Sequence, residues 1–319
     1  MRISIVIVNR NGEVFASKLM GSLIHSCKNC ERIGGCNCEE IIIVDNASTD
    51  NSLRIFEEYS KKITKPLIKI VRLRRNTGFC YAVNIGVALA NTELVAILNP
   101  DLYVDADWLI PIIEDFKKHP RLGVVQPLIY WYQNPEQIQS TGLYADFAGN
   151  YKGNAFNSKT LLAPFGAAYV VRRSAFVEIG GLDPLYFMYG DELDLGLRMW
   201  LAGWMVMLEP KSKVYHYMGG VTPSSLYLKH LKYLLMRRNQ VITLIKSLSL
   251  KSLFIAISLL IFVNIFRGLK SKETLRAILI AYYRVLRNMR YIIIQRYRYL
   301  RKKILNEEIL RHWGLIRPI

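Results

Sequence analysis

No apolar run in this 319-residue chain reaches the roughly 20 residues that a membrane-spanning helix needs; the longest candidate, Ser252–Phe266 between Lys251 and Arg267, is about 15. It reads as an interfacial or buried docking helix, with a shallow re-entrant segment as a further option. The chain has no internal repeat and no low-complexity tract. Its opening apolar run, Ile3–Val8, is too short for a signal peptide and is followed by no small-residue cleavage site, so a first strand and a cytoplasmic globular part are expected. A hydrophobic content of 51% excludes a disordered protein, and the length suits one large domain plus an appendage.

Acidic residues are also scarce, 25 against 43 Lys and Arg, for a formal charge of +18. Taken whole, that charge suggests nucleic acid as a partner. Its distribution does not: 20 of the basic residues but only Glu273, Glu307 and Glu308 among the acids lie in Leu226–Ile319, a net of +17 that leaves +1 for Met1–Ser225. The basic residues sit in an apolar, Tyr-rich tail instead of interleaving with a groove face, which argues against nucleic acid. Residues 226–319 are therefore predicted to be a basic, helical region associating with an anionic membrane surface; a solvated helical tail is the plainer alternative.

In the near-neutral part, strand-length apolar runs at Ile3–Val8, Ile41–Val44, Leu67–Leu73 and Leu94–Leu98 alternate with segments that can be helical. Alternation implies parallel pairing, and runs such as Ile41-Ile-Ile-Val44 are those of strands buried on both faces, so an α/β, doubly wound, mostly parallel sheet is expected. Ligands of such sheets lie at the carboxyl ends of the strands. Four polar clusters directly follow the predicted strands and should share one rim: Asn9-Arg-Asn-Gly12, Asp45-Asn-Ala-Ser-Thr-Asp50, Arg74-Arg-Asn-Thr-Gly78 and Asn99-Pro-Asp101. Residues 1–122 are thus assigned to ligand binding, and the irregular stretch 123–225 to a second substrate.

Each cluster suits a particular chemistry. Asp45, just past a buried strand, can accept the N3–H of a uracil or thymine, while Ser48–Asp50 can cap the following helix. Asn76, Gly78 and the helix they introduce offer free N–H groups to a diphosphate, with Arg74 and Arg75 nearby. Small residues Ala82, Gly86 and Ala90 recur every four positions in that helix and permit close packing. Asp101 is a hard oxygen ligand at the rim, suited to Mg2+ or Mn2+ shared with phosphate oxygens, and His216 is a candidate second ligand. Asp191, Glu192 and Asp194 open a further helix; crowding of three carboxyls raises at least one pKa, as a general base for a hydroxyl requires, although acids also complement a helix dipole.

Taken in order and spacing, these elements resemble the inverting glycosyltransferases of family 2, with the GT-A fold, and within them the rhamnosyltransferase-like subgroup. The resemblance covers roughly Arg2–Gly220 and rests on Ile5–Gly12, Val44–Asp50, Asn76–Phe79 with Asn84, Leu98–Asp101, Gly166–Arg173 with Gly180–Asp183, and Asp191–Arg198 followed by Ala202–Trp204. It implies transfer from a nucleoside-diphosphate sugar, dTDP-rhamnose or a UDP-sugar, to a glycan or lipid-linked acceptor by a single displacement at the cytoplasmic face of the membrane, in cell-envelope polysaccharide synthesis. It also implies donor contacts from Asn9, Asn11, Asp45, Asn76, Gly78, Asn84 and Asn99, metal binding at Asp101 and His216, and a base at Glu192, with Asp191 the alternative. Asn99 replaces the first acid of the commoner metal motif, a change frequent in the rhamnosyl-like subgroup. Asp194, Arg198 and Trp204 read as acceptor contacts or as packing and ion-pair residues. A homo-oligomer is compatible with this reading, as is a non-catalytic partner on the same fold.

Cysteine is the scarcest feature left. Four of the five fall in Cys27, Cys30, Cys36 and Cys38, a C-x₂-C-x₅-C-x-C insertion relative to the family's short connection. Four thiolates in a tight Gly-containing loop suit structural Zn2+; two disulfides are the alternative, disfavoured in a reducing cytoplasm.

Overall fold

The computed structural model describes residues 1–145, 151–153, 159–217, 226–268 and 271–301. Its first half alternates as the apolar runs predict: β1 (Arg2–Asn9), α1 (Glu13–Arg32), β2 (Asn37–Asp45), α2 (Ser52–Lys62), β3 (Leu67–Arg72), α3 (Phe79–Leu89) and β4 (Leu94–Leu98). These strands pair in the order β3-β2-β1-β4, all parallel. Asn9 lies opposite Asp45, and Asp45 opposite Arg72, so the strand ends share one rim.

The second half is β5 (Leu102–Val104), α4 (Leu109–Lys118), β6 (Leu122–Trp131), β7 (Ile138–Ser140), β8 (Leu143–Ala145), β9 (Tyr151–Gly153), β10 (Ala168–Arg172), α5 (Arg173–Glu178), α6 (Asp191–Leu201) and β11 (Met205–His216). Far from forming a separate layer, it extends the same sheet through β10, β6, β11 and β5, with β7 on β6, while β8 and β9 form a small hairpin. β10 runs antiparallel between β4 and β6, and β5 antiparallel beside β11. The expected doubly wound, mostly parallel sheet is therefore present, with three reversed strands, β5, β7 and β10, that periodicity does not reveal.

Side-chain alternation divides the core in two. Ile5, Ile7, Ile41 and Ile43 face α1 and α4, burying Leu19, Leu23, Ile112 and Phe116. Val6, Val8, Ile42 and Val44 face α3, α5 and α6. The small residues of α3 earn that contact: a Cβ on Gly86 would meet Val6 Cγ1 at 2.3 Å.

The basic region forms α7 (Leu226–Ser247), α8 (Leu250–Gly268), α9 (Lys272–Arg287) and α10 (Met289–Arg301); its remainder, 302–319, lies outside the described residues. It is joined to the rest by packing: Val241, Ile242, Leu244, Leu248, Ala256, Leu260, Val285 and Ile292 belong to the same buried cluster as Val6 and Val44. Among the described residues no helix is long and apolar enough to cross a membrane.

The cysteine insertion corrects the zinc expectation. Cys27 is bonded to Cys38 and Cys30 to Cys36, tying the end of α1 to the start of β2. Sulfurs joined pairwise offer no thiolate to a metal. All four are buried among apolar residues of the α1 face, and among the described residues no group of three or more His, Cys, Asp or Glu is arranged to hold a metal ion.

Candidate active site

The rim is built by short polar side chains that tie strand ends to the turns beyond them. Asn9, fully buried at the end of β1, donates through Nδ2 to Asp45 Oδ1 (3.0 Å), Ser48 Oγ (3.0 Å) and Ser52 Oγ (2.9 Å). Ser48 N donates to Asp45 Oδ2 (3.2 Å), so both carboxylate oxygens are oriented while Asp45 stays 3% exposed. Asn11 takes a positive φ of 57°, tolerable for Asn, and its Oδ1 accepts from Thr49 N at 2.8 Å. Arg10 donates to the carbonyls of Asn46 and Ala47.

Asn46 is a residue that motif reading passes over. Its Nδ2 donates to Gly78 O (3.1 Å) and its Oδ1 accepts from Thr77 N (2.8 Å), which fastens the turn before α3 to the end of β2. Asn76 Oδ1 accepts from Gly78 N (3.0 Å), closing that turn. Gly78 has φ 84°, and a Cβ there would meet Phe187 Cδ2 at 2.5 Å, so glycine is required both for conformation and for space. Asn84 lies farther along α3, with both ends of its amide engaged by the backbone of Leu182, at 2.7 and 2.9 Å.

Asp101, between β4 and β5, and His216, the last residue of β11, come together: His216 Nε2 is 3.3 Å from Asp101 Oδ1, and both residues are 5% exposed. The partner of the other ring nitrogen, unmarked in the sequence, is Gln139, whose Oε1 lies 2.8 Å from His216 Nδ1. An amide oxygen only accepts, so Nδ1 carries a proton and Nε2 is the ring nitrogen turned toward the carboxylate. A ring nitrogen and a carboxylate facing each other in a buried site are held by a proton or a cation between them, and this donor set fits a hard or borderline divalent ion. Asn99 anchors through its backbone N to Ala167 O at 2.9 Å.

Across the rim, α6 presents the three acids. Asp191 is 2% exposed, and its Oδ2 has no hydrogen-bond partner among the described residues. Burial first, and the neighbouring Glu192 charge second, push its carboxyl well above the usual range. Burial also raises Glu192, which is only partly offset by the amide of Gly190, 2.9 Å from Glu192 Oε2. Asp194 differs: burial pushes it up, but Arg198 and Lys246 outweigh this and hold it low. Arg198 Nε lies 2.8 Å from Asp194 Oδ2, and Lys246 Nζ 2.7 Å from Oδ1. Asp194 and Arg198 thus form a buried pair, and Arg198 also reaches the carbonyls of Ile179 and Gly181. Trp204 is packed away, its Nε1 donating to Glu178 Oε2 at 3.0 Å.

One short segment links the two sides. The Phe165 ring meets the His216 ring edge-on, with centroids 6.2 Å apart. The next residue, Gly166, leaves room for Glu192: a Cβ there would meet Glu192 Oε1 at 2.3 Å. A carboxylate–imidazole pair and a carboxyl of raised pKa therefore flank residues 165–166.

This chain belongs to glycosyl transferase family 2, whose model matches residues 4–180; a second model, glycosyl transferase family group 2, matches 94–301 and so includes the helical region. It is 26% identical over 208 residues to an N-acetylglucosaminyl-diphospho-decaprenol L-rhamnosyltransferase of Mycobacterium tuberculosis, covering 56% of this chain and 66% of that protein. It is 30% identical over 179 residues to a poly-beta-1,6-N-acetyl-D-glucosamine synthase of Staphylococcus epidermidis, covering 54% and 42%. An inactive polypeptide N-acetylgalactosaminyltransferase-like protein 5 of Macaca fascicularis is 30% identical over 195 residues, covering 56% and 44%. The matches thus span 42–66% of the lengths of these relatives. Among solved structures, GalNAc-T7 with UDP, GalNAc and Mn2+ superposes with a TM-score of 0.61 at 20% identity, covering 76% of this chain and 47% of that one. The mannosyltransferase PcManGT of Pyrobaculum calidifontis, with GDP-Man and Mn2+, superposes at 0.56 and 13% identity, covering 90% and 74%. Both share the GT-A fold expected of the chain.

Proposed function

We propose that the protein transfers a sugar from a nucleoside-diphosphate sugar to a hydroxyl of a glycan or lipid-linked acceptor, with inversion at the anomeric carbon. The observation that carries this reading is the placement of the Asp101–His216 pair and the Glu192 carboxyl on either side of residues 165–166. In this reading Asp45 receives a pyrimidine, and the turn Asn76–Gly78 with the N-terminus of α3 receives the diphosphate. Asp101 and His216 would hold a divalent ion, which when bound neutralises charge on the departing diphosphate. Glu192, with Asp191 as its alternative, takes the acceptor proton; its raised pKa makes it a stronger base than an exposed carboxylate. A base on one side and the leaving group on the other would suit a single displacement.

Mn2+ in the two solved structures supports a divalent ion, and the rhamnosyltransferase relative, together with Asn99, supports dTDP-rhamnose as first choice over UDP-sugars. The test is a panel of dTDP- and UDP-sugars assayed for nucleoside-diphosphate release with and without Mn2+; no release from any donor defeats the proposal.

Peripheral attachment to an anionic membrane surface belongs to the same proposal. Leu250 and Phe254 are each 75% exposed on α8, and Leu279 and Leu286 over 60% on α9, in a region dense in Arg and Lys. Phe254→Ser with Phe262→Ser is expected to release the protein from vesicles containing phosphatidylserine; unchanged co-sedimentation counts against attachment.

A further inference from the structure

Four carboxyl groups converge at the start of α6 and the loop before it, yet their compensation is unequal. Lys246, from α7, is fully buried with its ammonium 2.8 Å from Asp183 Oδ2 and 2.7 Å from Asp194 Oδ1. Arg198 adds a second cation to Asp194. Neither cation is within ion-pair distance of Asp191 or Glu192 in this structure. The helix that carries Lys246 also grips the intervening loop. Arg238 donates to the carbonyls of Leu185 and Tyr186, and Asn239 to those of Tyr186, Met188 and Tyr189. Tyr186 in turn donates to Asp194 Oδ1 at 3.2 Å, and Tyr291 of α10 to Asp183 Oδ1 at 2.9 Å.

We propose that Lys246 is a positioning residue for glycosyl transfer: by neutralising Asp183 and Asp194 while leaving Asp191 and Glu192 unpaired, it holds the first turn of α6 in place and confines the acceptor-deprotonating role to that pair. The inference rests on the assignment of the base above. A carboxylate buried in a low dielectric without a cation is strongly disfavoured, so each of the four must be paired or protonated. Pairing two of them decides which two keep the proton longest.

The groups facing the Asp191–Glu192 pair are the Cys80 thiol from α3, the Tyr169 hydroxyl from β10, Tyr189, Asp183, Asp194 and Arg198, with Lys246 behind Asp194. Burial, and the acids beside it, push Cys80 well up, and burial does the same to Tyr169, so neither competes for the acceptor proton near neutrality.

The test is the pH dependence of kcat in full-length protein. In Lys246→Met, Asp183 loses its lysine and Asp194 keeps only Arg198, and the added negative charge beside the pair is expected to move the acidic limb to higher pH by about 0.5–1 unit. kcat at pH 6 should fall about three- to tenfold, with KM for the donor nearly unchanged, while Lys246→Arg restores the profile. Should Lys246→Met not fold, Asp194→Asn, which leaves cationic charge in excess, is expected to move the limb to lower pH. An unmoved limb in whichever folded variant is measured overturns the proposal. Loss of the base assignment is a separate result, seen as full activity in both Glu192→Gln and Asp191→Asn.

Discussion

His216 Nε2 faces Asp101 Oδ1 across 3.3 Å, joining the end of the last strand to the turn after β4. Two residues 115 positions apart thus form one donor set, with Gln139 fixing the ring through Nδ1. Asp101→Ala is expected to lower kcat at least about 100-fold at saturating Mn2+, whereas His216→Ala should mainly raise the Mn2+ concentration needed for half-maximal activity. Activity of both variants that is indifferent to EDTA would remove the metal from the reading.

Glu192→Gln keeps shape and removes the proton acceptor, so kcat is expected to fall about 10²- to 10⁴-fold with donor binding, followed by calorimetry, largely retained. As the proposed base, Glu192 would act only when ionised. Because burial raises its pKa, kcat should decline as pH falls through a limb lying above the ordinary carboxylate value. A profile flat down to pH 4 contradicts that role.

The architecture was largely legible. Ile3–Val8, Ile41–Val44 and Leu94–Leu98 announce strands because strands buried on both faces are apolar throughout, and the polar clusters after them mark the rim. The reversal of β10 was not, since Ala168–Arg172 reads the same in either direction. Pairing of Asp101 with His216 was suggested by donor chemistry and by the family resemblance, but no local pattern places the two together. The roles of Gln139, Asn46 and Lys246 carried no local signal: each acts on a partner at least 31 residues away, and a lysine in a basic tail looks like surface charge. Four clustered cysteines suit zinc and two disulfides alike, because spacing alone does not separate a metal cage from two bridges.

The disulfides give a direct measurement. After denaturation without reductant, thiol titration should find one reactive cysteine, Cys80. Reduction is expected to lower stability by about 2–3 kcal/mol for each bridge, seen as a lower Tm with tris(2-carboxyethyl)phosphine. Five titratable thiols in the untreated protein would overturn the pairing.

Asp115 of α4 provides a test in stability. Burial first, then its contact with Glu209, raises its carboxyl to about 6. The folded protein therefore binds this proton more tightly than the unfolded chain, so the site contributes most at pH below about 4, and the contribution is lost as pH rises to about 6. Asp115→Asn should raise Tm at pH 8 by about 2–4 °C and change it little at pH 4. A lower Tm at pH 8 would show that the ionised carboxylate is stabilised by some other group.

Sixty-three positions separate Asp183 from Lys246. At roughly 5–20 residues per second, a ribosome that has completed Asp183 needs about 3–13 seconds more to add the lysine that pairs with it. α6 and β11 are made during that interval, and only after them does α7 bring the lysine that meets Asp183 and Asp194. A chain arrested before α7 would thus carry every strand of the sheet and leave Asp183 without its lysine.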